Sequence, residues 1–227
     1  MSIFRNLMVQ CPVCSTPIDF ELVISVAADR RPDLREQILD GSFQRQPCPA
    51  CLTPFRVEPE FAYIDFARRQ YLGVWPKQKR AEWQSCAQKT REVFDDALGE
   101  RATPEARRLG GGLDVRVVFG WPALAEKLIA RDAGVDDRTL EVAKLAAMRS
   151  ADDCAVPGGG TELRLVGREG DDLVLAWIGS GDDMPPLWRL PRGVLAEIDA
   201  DPVAWQAARA AVGEGDVVDF QRDLLAA

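Results

Sequence analysis

A chain of 227 residues that is 47% hydrophobic is long enough to bury a true core in one or two domains. It has no run of 18 or more apolar residues, which excludes a helix crossing a membrane. The formal charge of −8 is uneven: residues 1–99 carry 13 basic and 13 acidic side chains, and residues 100–227 carry 15 and 23, so the second half repels a phosphate backbone.

In chain order, residues 1–10 predict an extended lead into Cys11-Pro12-Val13-Cys14. Residues 17–27 predict a strand with Ile18, Phe20, Leu22 and Ile24 on one face. Pro32 to Gly41 predicts a short helix, opened by Pro32, ended by Gly41 in the left-handed conformation, and carrying the apolar pair Leu34 and Ile38. Phe43 to Pro47 returns the chain to Cys48-Pro49-Ala50-Cys51. Strands are predicted over 55–58 and over 61–75, the latter bent near Arg68-Arg69. An amphipathic helix follows over 77–98, with Cys86 as a buried apolar residue on it.

Residues 100–112, with Pro104 and Gly110-Gly111-Gly112, predict a linker. Beyond it come a strand over 113–119 and a helix from Trp121 to Ala133 with Pro122 in its first turn and Gly134 at its end. A second helix, capped by Asp136 or Asp137, runs to about Met148. A β-hairpin over 161–178 turns at Glu169-Gly170-Asp171-Asp172, and Leu187 to Leu190 adds a third strand. Short helices over 191–198 and 202–212 precede a terminal helix or strand over 217–225.

The chemistry concentrates in the two Cys-Pro-x-Cys steps. Four thiols in two such pairs are the ligand set of a structural zinc site, because Zn²⁺ takes four thiolates in a tetrahedron and each step turns two sulfurs toward one point. Proline stiffens each turn by fixing φ. The chain has no histidine, so mixed ligation is ruled out. A disulfide framework suits a secreted domain, whereas Met1-Ser2-Ile3-Phe4-Arg5 has one basic residue and no apolar run ahead of Cys11, unlike a secretory signal. A thioredoxin-like C-x-x-C opens a helix, which Ser15-Thr16-Pro17 does not favour, and it is not expected in duplicate. An iron–sulfur cluster uses the same ligands and stands behind zinc. Four thiolates close the shell, so the expected role of the metal is structural.

Weaker constellations read structurally. Gly158-Gly159-Gly160 lacks a Gly-Lys-Ser/Thr ending and reads as a connector. The acidic pairs at 95–96, 136–137, 152–153, 171–172 and 182–183 fall at expected caps and turns. Trp177 and Trp188 read as core. Arg68, Arg69, Lys77, Lys79 and Arg80, near Tyr71 and Trp75, are the candidate nucleic-acid surface.

A family resemblance rests on several stretches together. The two knuckles are separated by a strand and Leu-Arg-Glu-Gln-Ile-Leu-Asp-Gly-Ser-Phe (34–43). They are followed by Val115-Arg116-Val117-Val118-Phe119-Gly120, Leu124-Ala125-Glu126-Lys127-Leu128, Asp136-Asp137 and Glu141-Val142-Ala143-Lys144. Over about residues 8–148 this resembles the bacterial and archaeal CpXC family. The resemblance implies metal ligation by Cys11, Cys14, Cys48 and Cys51 and no assigned activity. Knuckles of this kind often carry glycine after the second cysteine. Ser15 and Leu52 stand there instead, and strain is expected at Leu52.

The expected fold is α+β: an N-terminal four-cysteine zinc-ribbon-like β domain with an inserted short helix and a trailing helix (1–99), a linker (100–112), and a C-terminal α+β domain with a β-hairpin or meander (113–227). The expected protein is a non-enzymatic, cytoplasmic zinc-binding module for a protein partner, in which losing Cys48 unfolds residues 8–75. The alternatives are a nucleic-acid-binding ribbon using the patch around Arg68–Arg80, and an enzyme with a site at the domain junction.

Overall fold

The structure, a computed structural model, describes residues 1–150, 161–179, 187–213 and 215–222. The chain is α+β, as expected, with seven α-helices and ten strands among the described residues. It divides into two compact units, Met1–Trp121 and Pro122–Ala227.

The first unit is built on a five-stranded mixed sheet. Its strands are β1 (Ile3–Gln10), β2 (Pro17–Ala27), β5 (Phe61–Asp65), β6 (Gln70–Trp75) and β7 (Asp114–Phe119), in that spatial order. β1 and β2 are antiparallel, β2 and β5 parallel, β5 and β6 antiparallel, β6 and β7 parallel. Val23, Val26, Tyr63, Leu72, Val74 and Val117 are buried in it. Between β2 and β5 lie α1 (Pro32–Asp40) and a small antiparallel hairpin of β3 (Arg45–Pro47) and β4 (Pro54–Arg56). α1 ends as expected, on Gly41 at φ 81, a conformation that costs a side-chain-bearing residue steric strain.

Four sequence expectations change here. Residues 61–75 form a hairpin where one bent strand was expected. Asp29 accepts from the backbone N–H groups of Phe66 and Ala67, Asp65 accepts from that of Arg68, and Arg69 takes φ 56, so polar side chains close a turn that an apolar pattern does not display. The helix over 77–98 starts as a 3-10 segment, Lys77–Glu82, before α2 (Trp83–Ala97), with Cys86 buried on α2. The span 100–112 holds α3 (Pro104–Gly110), capped by the Thr103 hydroxyl accepting from the Ala106 N–H. Because β7 extends the first sheet beside β6, the two units divide after Trp121 and residues 113–121 belong to the first. α2 packs close to β6 at Gly73, where a Cβ would stand 2.3 Å from the Thr90 hydroxyl, and that hydroxyl accepts from the Trp75 indole N–H at 3.0 Å.

α4 (Gly120–Asp132) opens at the end of the first unit, and the rest of the second unit follows it. α5 (Asp137–Ser150) starts with the Asp136 carboxylate accepting from the Thr139 N–H. β8 (Glu162–Glu169), β9 (Asp172–Ile178) and β10 (Leu187–Leu190) form an antiparallel meander, followed by α6 (Arg192–Ala200) and α7 (Gln206–Ala211). Leu140, Leu163, Leu165, Leu173, Leu175 and Ile198 make the core, with Trp177 and Trp188 packed against it. The connector holding Cys154 and Gly158–Gly160, the acidic pairs at 152–153 and 182–183, and residues 223–225 lie outside the described residues. The described part of the terminal segment, 215–222, is irregular.

That irregular segment is fastened by a buried charge network which the sequence reading missed. Lys144 Nζ lies between Glu126 and Glu141 Oε1, the latter at 2.7 Å, with all three side chains fully buried. Arg164 donates to Glu126 at 3.0 Å, to Glu162 at 2.6 Å and to Asp219 at 2.8 Å. Lys127 donates to the Val218 carbonyl, and Phe220 N–H donates to Glu141. The β8 amides of Leu163 and Leu165 donate to the Gln221 and Glu126 side chains, which stand in for a neighbouring strand.

Candidate metal centre

Each Cys-Pro-x-Cys step is the loop of a hairpin. The first joins β1 to β2 and the second joins β3 to β4, closed by the register pairs Gln10–Pro17 and Pro47–Pro54. The two loops share one hydrogen-bond scheme. Cys11 N–H donates to the Thr16 carbonyl and Cys48 N–H to that of Thr53, both at 3.0 Å. Ser15 N–H returns to the Cys11 carbonyl at 3.0 Å, and Leu52 N–H to that of Cys48 at 2.9 Å. The amides of Val13 and Ala50 point at the first sulfur of their own knuckle, each at 3.4 Å.

Packing brings the hairpins together. Gln44 bridges to β2, accepting from Val23 N–H and donating to the Glu21 carbonyl. Phe20 and Phe55 pack with ring centroids 6.0 Å apart. Val9, Ile18 and Phe55 form an apolar back wall around Cys11 and Cys48. The result places Cys11, Cys14, Cys48 and Cys51 with all four sulfurs within 4.8 Å of one another. The contacts across the knuckles are 3.6 Å for Cys14–Cys48 and 3.7 Å for Cys11–Cys51. Sulfurs at the corners of a tetrahedron around an ion with bonds of about 2.3 Å lie about 3.8 Å apart, so the set fits a tetrathiolate ion. A disulfide needs about 2.05 Å, and all four thiols are free. These residues could hold a metal ion.

Cys11 and Cys48 are buried, Cys51 is half-buried and Cys14 is exposed. The Thr16 hydroxyl, hydrogen-bonded to Cys14 sulfur at 3.2 Å, and the Thr16 N–H draw the Cys14 thiol down to about 6. Thr53 lowers Cys51 in the same way. At Cys48 the Cys51 N–H pulls down, but burial and the sulfurs of Cys14 and Cys11 outweigh it and leave the thiol at about 11. A metal must displace the protons of such thiols, so its affinity falls as pH drops.

Thr16 and Thr53 are the residues that sequence reasoning passed over, although the signal was present: both knuckles read Cys-Pro-x-Cys-x-Thr-Pro. Changing either threonine to valine should weaken metal binding about 10–100-fold. Competition with a chromophoric chelator measures this, and an unchanged affinity in both variants removes the hydroxyls from the account.

The expected strain is present. Leu52 takes φ 60 and Ser15 φ 57, so both knuckles make their bend without glycine. Leu52 is 74% exposed, so its side chain contributes little burial in return. Leu52→Gly should therefore raise stability by about 0.5–1 kcal/mol, the left-handed penalty less the extra chain entropy of glycine. A denaturant midpoint that falls would show the bend to be unstrained.

The five basic residues do not form one patch. Arg68 and Arg69 sit in the β5–β6 turn, where Arg68 pairs with Asp65 and Arg69 donates to the Gly112 carbonyl. Lys77, Lys79 and Arg80 follow the far end of β6, roughly 20 Å along the strand. Lys79 pairs with Glu82, and Arg80 is buried. Tyr71 and Trp75, the aromatic partners expected to stack bases, are buried as well. Asp96 of the 95–96 pair binds Arg101.

An α+β chain with four clustered cysteines on two hairpin loops is a protein with a tetrathiol site compatible with metal binding. The chain belongs to the CpXC family: the family model described as CpXC protein matches residues 9–144, which include both knuckles. No curated protein and no solved structure matches the chain.

Proposed function

We propose that Cys11, Cys14, Cys48 and Cys51 hold a structural Zn²⁺ ion, and that the protein works as a non-enzymatic, cytoplasmic module that engages a protein partner. The observation that carries the zinc reading is the convergence of four sulfurs from two hairpin loops within 4.8 Å. Zinc suits the set because it accepts four thiolates without a ligand-field preference. A shell of four thiolates has no open position for substrate or water, which favours a staple over a catalyst. Among the described residues no helix is long and apolar enough to cross a membrane.

Elemental analysis of the purified, untagged protein tests the reading. Close to one zinc per chain is the expected result. A chain that stays metal-free after anaerobic incubation with Zn²⁺, or that holds iron with the visible absorption of a cluster, overturns it.

A further inference from the structure

We propose that Cys14 is a site of oxidation by hydroperoxides, with Cys48 as its disulfide partner, so that the metal centre opens from one defined sulfur. This rests on the metal-site reading above and deepens it. Three observations carry it. Among the four sulfurs Cys14 belongs to the exposed residue, whereas Cys11 and Cys48 are 2% and 0% exposed. The Cys14 sulfur touches Cys48, on the other hairpin, at 3.6 Å, and Cys11 touches Cys51 across the same gap at 3.7 Å. Finally, each hairpin loop is held by its own backbone bonds, Cys11 to Thr16 and Cys48 to Thr53, so the two loops remain formed while their sulfurs change partners.

The chemistry balances with the peroxide alone. The Cys14 thiolate attacks one peroxide oxygen, the O–O bond breaks, an S–O bond forms and hydroxide leaves, giving a sulfenic acid. The Cys48 thiolate then attacks the Cys14 sulfur, forming the S–S bond as the S–O bond breaks and a second hydroxide leaves. Two thiolates, one hydrogen peroxide and two protons become one disulfide and two waters; the sulfurs lose two electrons and the peroxide oxygens gain them. A metal that loses two of its four thiolates is no longer held. The new bond joins residues 34 apart and crosses between the hairpins, so it keeps them clasped in place of the ion.

The test uses the full chain, loaded with zinc and treated with hydrogen peroxide from sub-stoichiometric to twofold excess. Released metal is followed with a chromophoric chelator, and disulfides are mapped by mass spectrometry after alkylating the remaining thiols. The expected result is two thiols lost for each ion released, with Cys14–Cys48 as the first disulfide, Cys11–Cys51 following only in excess, and the buried Cys86 alkylated only after denaturation. A first disulfide within one knuckle, or one that begins from Cys11 or Cys51 while Cys14 stays reduced, overturns the proposal. So does metal release without thiol loss. If the chain proves to hold no metal before peroxide is added, the zinc reading fails by itself. The disulfide map of the metal-free chain then still decides the oxidation proposal: Cys14–Cys48 first upholds it, and any other first pair overturns it.

Discussion

Cys48→Ser is expected to abolish metal retention and to loosen the knuckle layer while leaving the main sheet of the first unit folded. Cys48 is the fully buried member of the sulfur cluster, and a serine hydroxyl does not ionise to replace its thiolate. Structural zinc in small peptides supplies about 10–16 kcal/mol of apparent binding energy, and losing one ligand forfeits most of it. The apolar packing around the cluster is thin, consisting of Ile18 with Val9 and Phe55. Hydrogen exchange should therefore accelerate over residues 9–18 and 45–57. Residues 61–75 and 113–119 should keep their protection, because Tyr63, Leu72, Val74, Val117 and Val118 are buried in a core separate from the sulfurs. The collapse of 8–75 expected from sequence is thus narrowed. A variant that keeps its zinc, or one whose β5, β6 and β7 amides exchange as fast as those of the knuckles, contradicts this account.

Lys144→Met should destabilise the second unit by about 3–5 kcal/mol, the usual cost of removing one partner from a buried ion pair. Lys144 is fully buried between Glu126 and Glu141, and methionine fills its volume without its charge. Glu126 retains Arg164, which donates to it at 3.0 Å. Glu141 is more vulnerable. Burial already pushes its carboxyl up to about 7, helped by the charges of Glu126 and Asp219 and opposed by Lys144 and Lys127.

The sign of the pH dependence follows. The folded state binds the Glu141 proton more tightly than the unfolded state does, so this group favours folding at low pH, and that contribution is lost as pH rises from about 4.5 to 7. Without Lys144 the loss extends above 7, so the variant should be hurt more at pH 8 than at pH 5. Adding Glu141→Gln should recover part of the deficit at pH 8. Urea denaturation at the two pH values measures all three chains. A Lys144→Met cost under about 1 kcal/mol, or one independent of pH, would falsify the network's role.

Which cysteines come together was legible from spacing alone, because two thiols three residues apart on a proline-stiffened turn have few other uses when the step occurs twice in a chain without histidine. Local signals also placed most elements correctly: Pro32 and Gly41 bracketing α1, Asp136 before α5, and the Gly170-Asp171 turn between β8 and β9. Other features depended on partners distant in sequence. Residues 61–75 read as one bent strand because the carboxylate of Asp29 that helps close the turn comes from elsewhere in the chain. The five basic residues looked contiguous in sequence, but β6 carries them to opposite ends and Arg80 is buried. The sequence reading assigned no role to Lys144 or Arg164, because their partners Glu126 and Asp219 lie far away along the chain.

By itself, then, the amino-acid order determined which four cysteines form the cluster and the local starts and stops of helices and turns, since those depend on residues a few positions apart. Only the tertiary structure decided which strands share a sheet, that 113–121 belong with the first unit, and which sulfur faces solvent. Burial and strand pairing are properties of contacts between distant residues, and no short window of sequence contains both partners.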